Sequence, residues 1–397
     1  MIKVVVCDGE GTLGLGLPRS SPQIRAQIRD LLDSMRSLGI KLAVASNRRR
    51  AAVEQRFRDE DLPLPDFIVT QAEVGTRKPS PAFVHAIQEL ADVELSEMVY
   101  IGDDDRTDAF CAINAQVLPF AAQYSQSDTP REYGLPFREP KDVRDYLATF
   151  GKQDEPYFGW TYAAPCADTG AAIDVRVLLG DHSWLTDILK RVLKEQQDLR
   201  VGPREVSVRS LLFHYLVSQC YLSGLTSEID WLTVYPGHEA SSTNIFLQQL
   251  IETLARAFRD RSVPDLLVRH EEAPKSQYQR AEQRNIFDQF RTIQLNPKYQ
   301  KTIRDKGVLV LDDFTTAGFS LETARRMLLQ GGAERVVCVA IAKYRGEHSR
   351  TTISKSWDPF APCTLAEDDV KVVSGYGTLN AAADEYFREG IWQFYCA

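Results

Sequence analysis

At 397 residues, with 44% hydrophobic and 26% charged side chains, the chain has the composition of a globular protein. It is too long for one ordinary core, so two or three domains are expected. A formal net charge of −8 gives no basis for broad nucleic-acid affinity, although local phosphate binding is compatible with an acidic whole. No stretch approaches the roughly 18 apolar residues that span a bilayer, and MIKVVVCDGEGT reads as a strand entering a loop, not as a signal peptide. The seven cysteines (Cys7, Cys111, Cys166, Cys220, Cys338, Cys363 and Cys396) lie far apart without a CxxC pair. An odd, scattered set implies reduced thiols and a cytoplasmic location. The six histidines are equally dispersed, which argues against a zinc site.

In chain order, residues 2–7 are a predicted strand, 21–38 have helical spacing, and 40–45 form a second buried-strand run. Residues 50–58 read as helix, 67–70 as strand, 81–90 as helix, 98–101 as strand, 108–115 as helix and 141–150 as a closing helix. Strands alternating with helices imply a parallel sheet covered on both faces. Pro, Gly and polar residues then mark a linker at 151–175. Predicted helices follow at 184–195 and 206–223, and alternation resumes: strand 231–234, helix 244–259, strand 266–268, helix 286–290, strand 307–311, helix 321–330 and strand 335–342. The expected fold class is α/β, with two doubly wound domains at 1–150 and 176–397.

Ligands of open α/β sheets bind at the carboxyl ends of the strands. Four features of the first domain fall at such ends or in a loop: Asp8-Gly9-Glu10-Gly11-Thr12, Ser46-Asn47, Lys78-Pro79, and Gly102-Asp103-Asp104-Asp105-Arg106-Thr107-Asp108. Phosphoryl transfer to an enzyme carboxylate needs a nucleophile, charge neutralisation and a proton donor. Asp8 suits the nucleophile, Asp8, Asp103 and Asp108 offer the oxygen ligands that Mg²⁺ demands, Ser46 can bond a phosphoryl oxygen, and Lys78 can offset its charge. Each alone has an ordinary explanation, since an Asp at a strand end is usually a turn or helix cap; the four in order carry the weight.

These residues resemble the haloacid dehalogenase superfamily, whose motifs read DxDGT, a Ser or Thr after the second strand, a Lys, and GDxxxTD. Here they read DGEGT, SN, RKP and GDDDRTD, over roughly residues 1–150. The resemblance implies a Rossmann-like phosphatase working through an aspartyl-phosphate on Asp8. Its catalytic set is Asp8, Glu10, Ser46 and Lys78, with Mg²⁺ held among Asp8, Glu10, Asp103 and Asp108. The family's second Asp, the usual general acid/base, is Glu10 here, whose extra methylene moves the carboxyl group. The stretches from Asp8 to the second strand and from Ser46 to Lys78 leave no room for a cap domain, so a capless site is expected, covered by a neighbouring domain if at all.

In the second domain, Asp312-Asp313-Phe314-Thr315-Thr316-Ala317-Gly318-Phe319-Ser320 lies between a buried-strand run and a helix. A short hydroxyl-rich loop at a helix N-terminus is a ready anion site, and paired carboxylates suit the vicinal hydroxyls of a ribose. The string resembles the signature of type I phosphoribosyltransferases for phosphoribosyl pyrophosphate (PRPP), and the resemblance covers about residues 180–345. It implies that Asp312 and Asp313 act on the ribose, while Thr315, Thr316, Ala317, Gly318 and Ser320 cradle the 5′-phosphate. Pro236, Gly237 and His238 stand where that family keeps its pyrophosphate loop. Residues 269–285, with Gln277, Arg284 and Asn285, look like its mobile loop and are closest to the ComF-like branch. That branch has arginines where this chain has Glu239-Ala240-Ser241-Ser242. Lys275 and Arg284 are candidates for the missing charge, a solvated basic loop being the equal alternative. The aromatic tail, including Trp357, Phe360 and Tyr376, is either an acceptor-base segment or simply docked to the core.

Taken together, the two resemblances imply a Mg²⁺-dependent bifunctional enzyme of nucleotide metabolism. Phosphoribosyl transfer between PRPP, or a nucleotide, and a base-like acceptor would be coupled to phosphomonoester hydrolysis; the oligomeric state stays open, a homodimer being one option because transferases of this type often dimerise. The alternative is a nucleotide- or PRPP-binding sensor with weak or no turnover.

Overall fold

In a computed structural model of the chain, the described residues are 1–13, 22–125, 133–150, 158–165, 172–180, 185–195, 197, 199–202, 205–240, 244–273, 285–344, 346–385 and 387. The chain divides into two compact units. The first comprises Met1–Pro156, Val217–Ser227 and Ala257–Arg259, and the second comprises Tyr157–Leu216, Glu228–Arg256 and Asp260–Ala397. Among the described residues no helix is long and apolar enough to cross a membrane.

The first unit is built on a six-stranded parallel sheet: β1 (Val4–Asp8), β2 (Lys41–Ser46), β3 (Phe67–Thr70), β4 (Met98–Gly102), β5 (Leu118–Ala122) and β6 (Leu135–Phe137). Val4, Val5, Val6 and Cys7 are buried on both faces of the sheet, which is why β1 reads as a continuous apolar run and not as an alternation. Helix Pro22–Ser37 turns Ile28, Leu31, Leu32 and Met35 inward, the stripe that a 3.6-residue period places on one face. Helix Ala82–Ala91 does the same with Phe83, Val84, Ile87 and Ala91.

The strand order is β3-β2-β1-β4-β5-β6. Chain direction across the sheet reverses between β1 and β4, and the crevice outside their carboxyl ends is where such sheets bind ligands. The strands β5 and β6 escaped the sequence reading because Pro119 and Pro136 interrupt the pattern by which strands are recognised. The helix expected at 108–115 is instead a wide π-type turn, Asp105–Ala109, followed by helix Phe110–Asn114. Asp104 caps that turn, accepting bonds from the backbone N–H groups of Arg106 (2.7 Å) and Thr107 (3.0 Å).

The second unit has a seven-stranded sheet. Strands Arg261–Ser262, Trp231–Val234, Gly307–Thr315, Arg335–Lys343 and Ala172–Leu179 are mutually parallel in that spatial order. Trp160–Pro165 and Thr378–Leu379 then continue the sheet antiparallel. The expectation of a wholly doubly wound second sheet is therefore corrected at this edge. Trp160–Pro165 also falls inside the 151–175 stretch read as linker: Trp160 and Tyr162 bury their rings, a contribution that the flanking Pro and Gly residues hid. The expected strand near 266–268 forms as Leu267–Arg269, but it pairs antiparallel with Ile293–Leu295 outside the main sheet.

Helix Phe319–Gln330 is buried along most of its length, including Glu322 and Arg325. Burying that pair is tolerable because the two charges meet in a fork and the Glu322 carboxylate gains further donors. Arg325 donates from Nε (2.8 Å) and Nη2 (2.9 Å) to the Glu322 carboxylate, and the backbone N–H (2.7 Å) and hydroxyl (2.8 Å) of Thr351 donate to its Oε1.

Candidate active site

Asp8 ends β1 and Asp103 follows β4, so the two neighbouring strands at the sheet's reversal each deliver a carboxylate. Asp108 arrives on the π-type turn. One oxygen from each of Asp8, Asp103 and Asp108 lies within 4.8 Å of the others. Three hard oxygen donors at this spacing fit a divalent cation such as Mg²⁺. Gly11 makes the approach possible: its φ is +72°, and a Cβ there would stand 2.0 Å from Asp103 Oδ2. That same oxygen accepts a 2.6 Å bond from Ser125 Oγ.

Lys78 is the charge partner of the cluster. Its Nζ bonds Asp8 Oδ1 and lies 2.7 Å from Asp108 Oδ1, with its side chain buried. Burial alone would lower its pKa, but the attraction of Asp108 and Asp8 outweighs that and raises it, so Lys78 remains a cation. Asp108 is pushed up to about 7, chiefly by burial, with Lys78 opposing and the Asp8 and Asp103 charges adding. The backbone N–H of Lys78 donates to Asn47 Oδ1 at 3.0 Å, which ties the lysine loop to the end of β2. Ser46, also at that end, is buried, and a Cβ on Gly9 would lie 3.2 Å from its Oγ. The structure thus brings Asp8, Ser46, Lys78, Asp103 and Asp108 to one place.

Glu10 departs from the sequence expectation. It is not among the clustered carboxylates; its backbone N–H donates to Asp8 Oδ2 at 2.8 Å, while its side chain turns toward two arginines. Arg48 grips it with Nε at 2.6 Å from Oε1 and Nη2 at 2.9 Å from Oε2, and Arg56 pairs with Oε1. The longer side chain reaches guanidinium groups that the loop after β2 and the following helix present, and charge pairing sets its direction.

In the second unit the acidic pair sits on the strand, not in the loop beyond it. Pairing with the adjacent strand continues through Asp312↔Ala340, Phe314↔Ala342 and Thr315↔Lys343, four residues past the expected end. Burial and the neighbouring Asp313 charge raise Asp312 well above the usual carboxylate range. Asp313 is raised by burial, against the pull of Lys194. Such a pair favours a cation or a hydroxyl-rich ligand alongside.

The loop Thr316–Gly318 is fixed from within. Lys343 Nζ donates to Thr316 O (2.7 Å), and the Ser349 N–H donates to Ala317 O (2.7 Å). Both carbonyls are thereby held toward the interior, away from any anion the loop would meet. Gly318 has φ +82°, and a Cβ there would stand 2.1 Å from His348 Nδ1. Thr315 is buried at the strand end, whereas Thr316, Ala317 and Ser320 are part-exposed.

The segment Pro236, Gly237 and His238 follows strand Trp231–Val234. Buried Arg269, expected to open the mobile loop, instead anchors this segment: it bonds Gly237 O and Thr292 Oγ1, and its Nη2 donates to Gln289 Oε1 at 3.0 Å. His238 Nε2 lies 3.2 Å from Glu239 Oε1. Lys275 and Arg284 lie outside the described residues. Trp357 and Phe360 are part of the hydrophobic core, as expected for a docked tail, while Tyr376 is exposed.

Sequence reading missed Ser125, Arg48, Arg56, Lys343 and His348, and gave Arg269 a different role. Each acts on a residue far along the chain or on another element, and no motif marks such a meeting.

The family model described as haloacid dehalogenase-like hydrolase matches residues 20–122. Haloacid dehalogenase-like hydrolase domain-containing protein 3 of Xenopus laevis is 34% identical over 92 residues, covering 21% of this chain and 34% of that protein. The chain thus spans about a third of the length of that curated relative. Among solved structures, a HAD-superfamily hydrolase from Ehrlichia chaffeensis is 29% identical, covering 30% of this chain and 55% of that one, with a TM-score of 0.26. A HAD-superfamily hydrolase of subfamily IA from Geobacter sulfurreducens is 17% identical, covering 37% and 96%, with a TM-score of 0.28. The family match at residues 20–122, with the curated relative, supports a haloacid dehalogenase-like hydrolase domain in the N-terminal region.

Proposed function

We propose that the first unit is a Mg²⁺-dependent phosphomonoesterase. The observation that carries this reading is the convergence of Asp8, Asp103, Asp108 and buried Lys78 at the sheet's reversal. Asp8 attacks phosphorus as the ester P–O bond breaks, and Glu10, once turned from Arg48 and Arg56 and protonated, gives the leaving oxygen a proton. Water then cleaves the Asp8–phosphoryl bond, losing a proton to Glu10 and releasing phosphate. Ser46 bonds a phosphoryl oxygen and Lys78 balances charge. Asp8, Asp103 and Asp108 would hold a Mg²⁺ ion, which would supply further neutralisation of the phosphate charge.

For the second unit the proposed ligand is PRPP or a related nucleotide, with a base-like acceptor. Its support is the strand-end pair Asp312 and Asp313 beside the internally braced Thr316–Gly318 loop. Transfer breaks the C1–pyrophosphate bond of PRPP and joins the base to C1, and the phosphatase is suited to removing the 5′-phosphate of such a product. The fusion of a type I phosphoribosyltransferase-like domain to the hydrolase, a cytoplasmic setting and a homodimer belong to the same proposal.

The test follows phosphate and pyrophosphate release with Mg²⁺, PRPP and a panel of bases. Phosphate release abolished in Asp8→Asn supports the hydrolase, and base-dependent pyrophosphate release lost in Asp313→Ala supports the transferase. The grip of Arg48 and Arg56 on Glu10 favours a second reading, a nucleotide sensor with little turnover. Tight ligand binding without release of either product would establish it.

A further inference from the structure

The Glu10 carboxylate leaves one feature of the first unit without a role: two guanidinium groups converge on a single acid at the edge of the Asp8 centre. Arg48 follows Ser46 closely, and its backbone N–H donates to Ser46 Oγ at 3.2 Å, so the arginine is anchored to the phosphoryl-binding hydroxyl. Arg56 comes from helix Arg50–Asp59. Arg48 holds both oxygens of Glu10 in a fork, the geometry that guanidinium groups use for carboxylates. The side chains are part-exposed, at 50% for Arg48, 28% for Arg56 and 38% for Glu10.

Water and dissolved ions therefore reach the pair, and a competing anion can replace Glu10. One positive charge also remains in surplus, beside a centre that takes a phosphate dianion. The Glu10 backbone is fixed by its bond to Asp8, which leaves side-chain rotation as the way to bring its carboxyl over the nucleophile.

Resting on the hydrolase reading, we propose that Arg48 and Arg56 form a second anion subsite, that the carboxylate of a phosphorylated organic acid takes Glu10's place there, and that Glu10 is thereby released to its acid/base position. The preferred substrate class is then a phosphomonoester whose leaving group carries a carboxylate a few bonds from the ester oxygen. Glu10 gives its proton to the leaving oxygen as that P–O bond breaks and takes one from water as the Asp8 ester is cleaved. The arginines determine specificity and do not touch the reacting atoms.

Two non-hydrolysable probes test this: phosphonoacetate and its neutral isostere phosphonoacetamide, titrated calorimetrically into the full chain with Mg²⁺. Phosphonoacetate is expected to bind about tenfold more tightly, the scale of one charge-assisted contact. In Arg48→Gln and Arg56→Gln the ratio falls to about one, with circular dichroism confirming the fold. Equal affinity for the two probes in the wild-type chain, or a ratio that survives in both variants, overturns the proposal. The hydrolase reading is judged separately, by phosphate release from any phosphomonoester and its loss in Asp8→Asn; the binding ratio decides the subsite even if that reading fails.

Discussion

The Nζ of Lys78 stands 2.7 Å from Asp108 Oδ1, with both side chains buried, and it bonds Asp8 as well. One cation therefore stabilises two carboxylates that would otherwise repel each other in a poorly hydrated site. Replacing Lys78 with Met leaves both acids uncompensated. At pH 8 this is expected to cost about 3–5 kcal/mol in the first unit, the usual penalty for orphaning one member of a buried pair. Hydrogen exchange of the β1 and β4 amides measures it; unchanged protection would show that the pair is structurally idle.

Asp103 is oriented by Ser125 and approached by Gly11. Removing an orienting hydroxyl from a ligand carboxylate typically costs 10–100-fold in metal affinity. The expected result for Ser125→Ala is thus about a tenfold weaker Mn²⁺ affinity, read by electron paramagnetic resonance. Gly11→Ala should be worse, since the new Cβ would displace Asp103 Oδ2.

Asp312 and Asp313 predict selective loss of ligand binding. In Asp313→Ala, PRPP affinity should fall about tenfold or more by calorimetry, the value of one or two hydrogen bonds to a charged group. Thermal stability should hold or rise, because a buried like-charge repulsion is removed. A variant that binds PRPP normally would refute the ribose assignment.

His348 lies fully buried beneath Gly318, and its pKa is lowered to about 3 by burial first and by the Lys343 and Arg325 charges second. Between pH 6.5 and 3 the unfolded chain binds a proton that the folded chain does not. Stability is therefore complete above about pH 6.5 and declines as pH falls through that window. His348→Gln should flatten this decline, measured by hydrogen exchange across strand Glu347–Ile353. An unchanged pH profile would assign the acid sensitivity elsewhere.

Much of the first unit could be read from one dimension. The apolar runs at β1, β2 and β4 are buried on both faces, and buried parallel strands advertise themselves as unbroken apolar segments. Asp8, Ser46 and Asp103 stood at predicted strand ends for the same reason. The proline-bearing strands β5 and β6 were invisible, as was Trp160–Pro165 inside a stretch whose composition resembles a linker. The acidic pair was placed in a loop because a sequence cannot show that Gly307–Thr315 has a neighbour long enough to pair with it to Thr315.

The sequence by itself determined which candidate residues stand at strand ends and in what order the strands deliver them, because short-range patterning encodes burial and chain reversal. Only the tertiary structure decided where side chains with several rotatable bonds point. Asp8, Asp103 and Asp108 share one centre because β1 and β4 are adjacent. Glu10, two residues from Asp8, faces Arg48 and Arg56 instead, since its direction is set by charges that the loop after β2 and the next helix bring beside it.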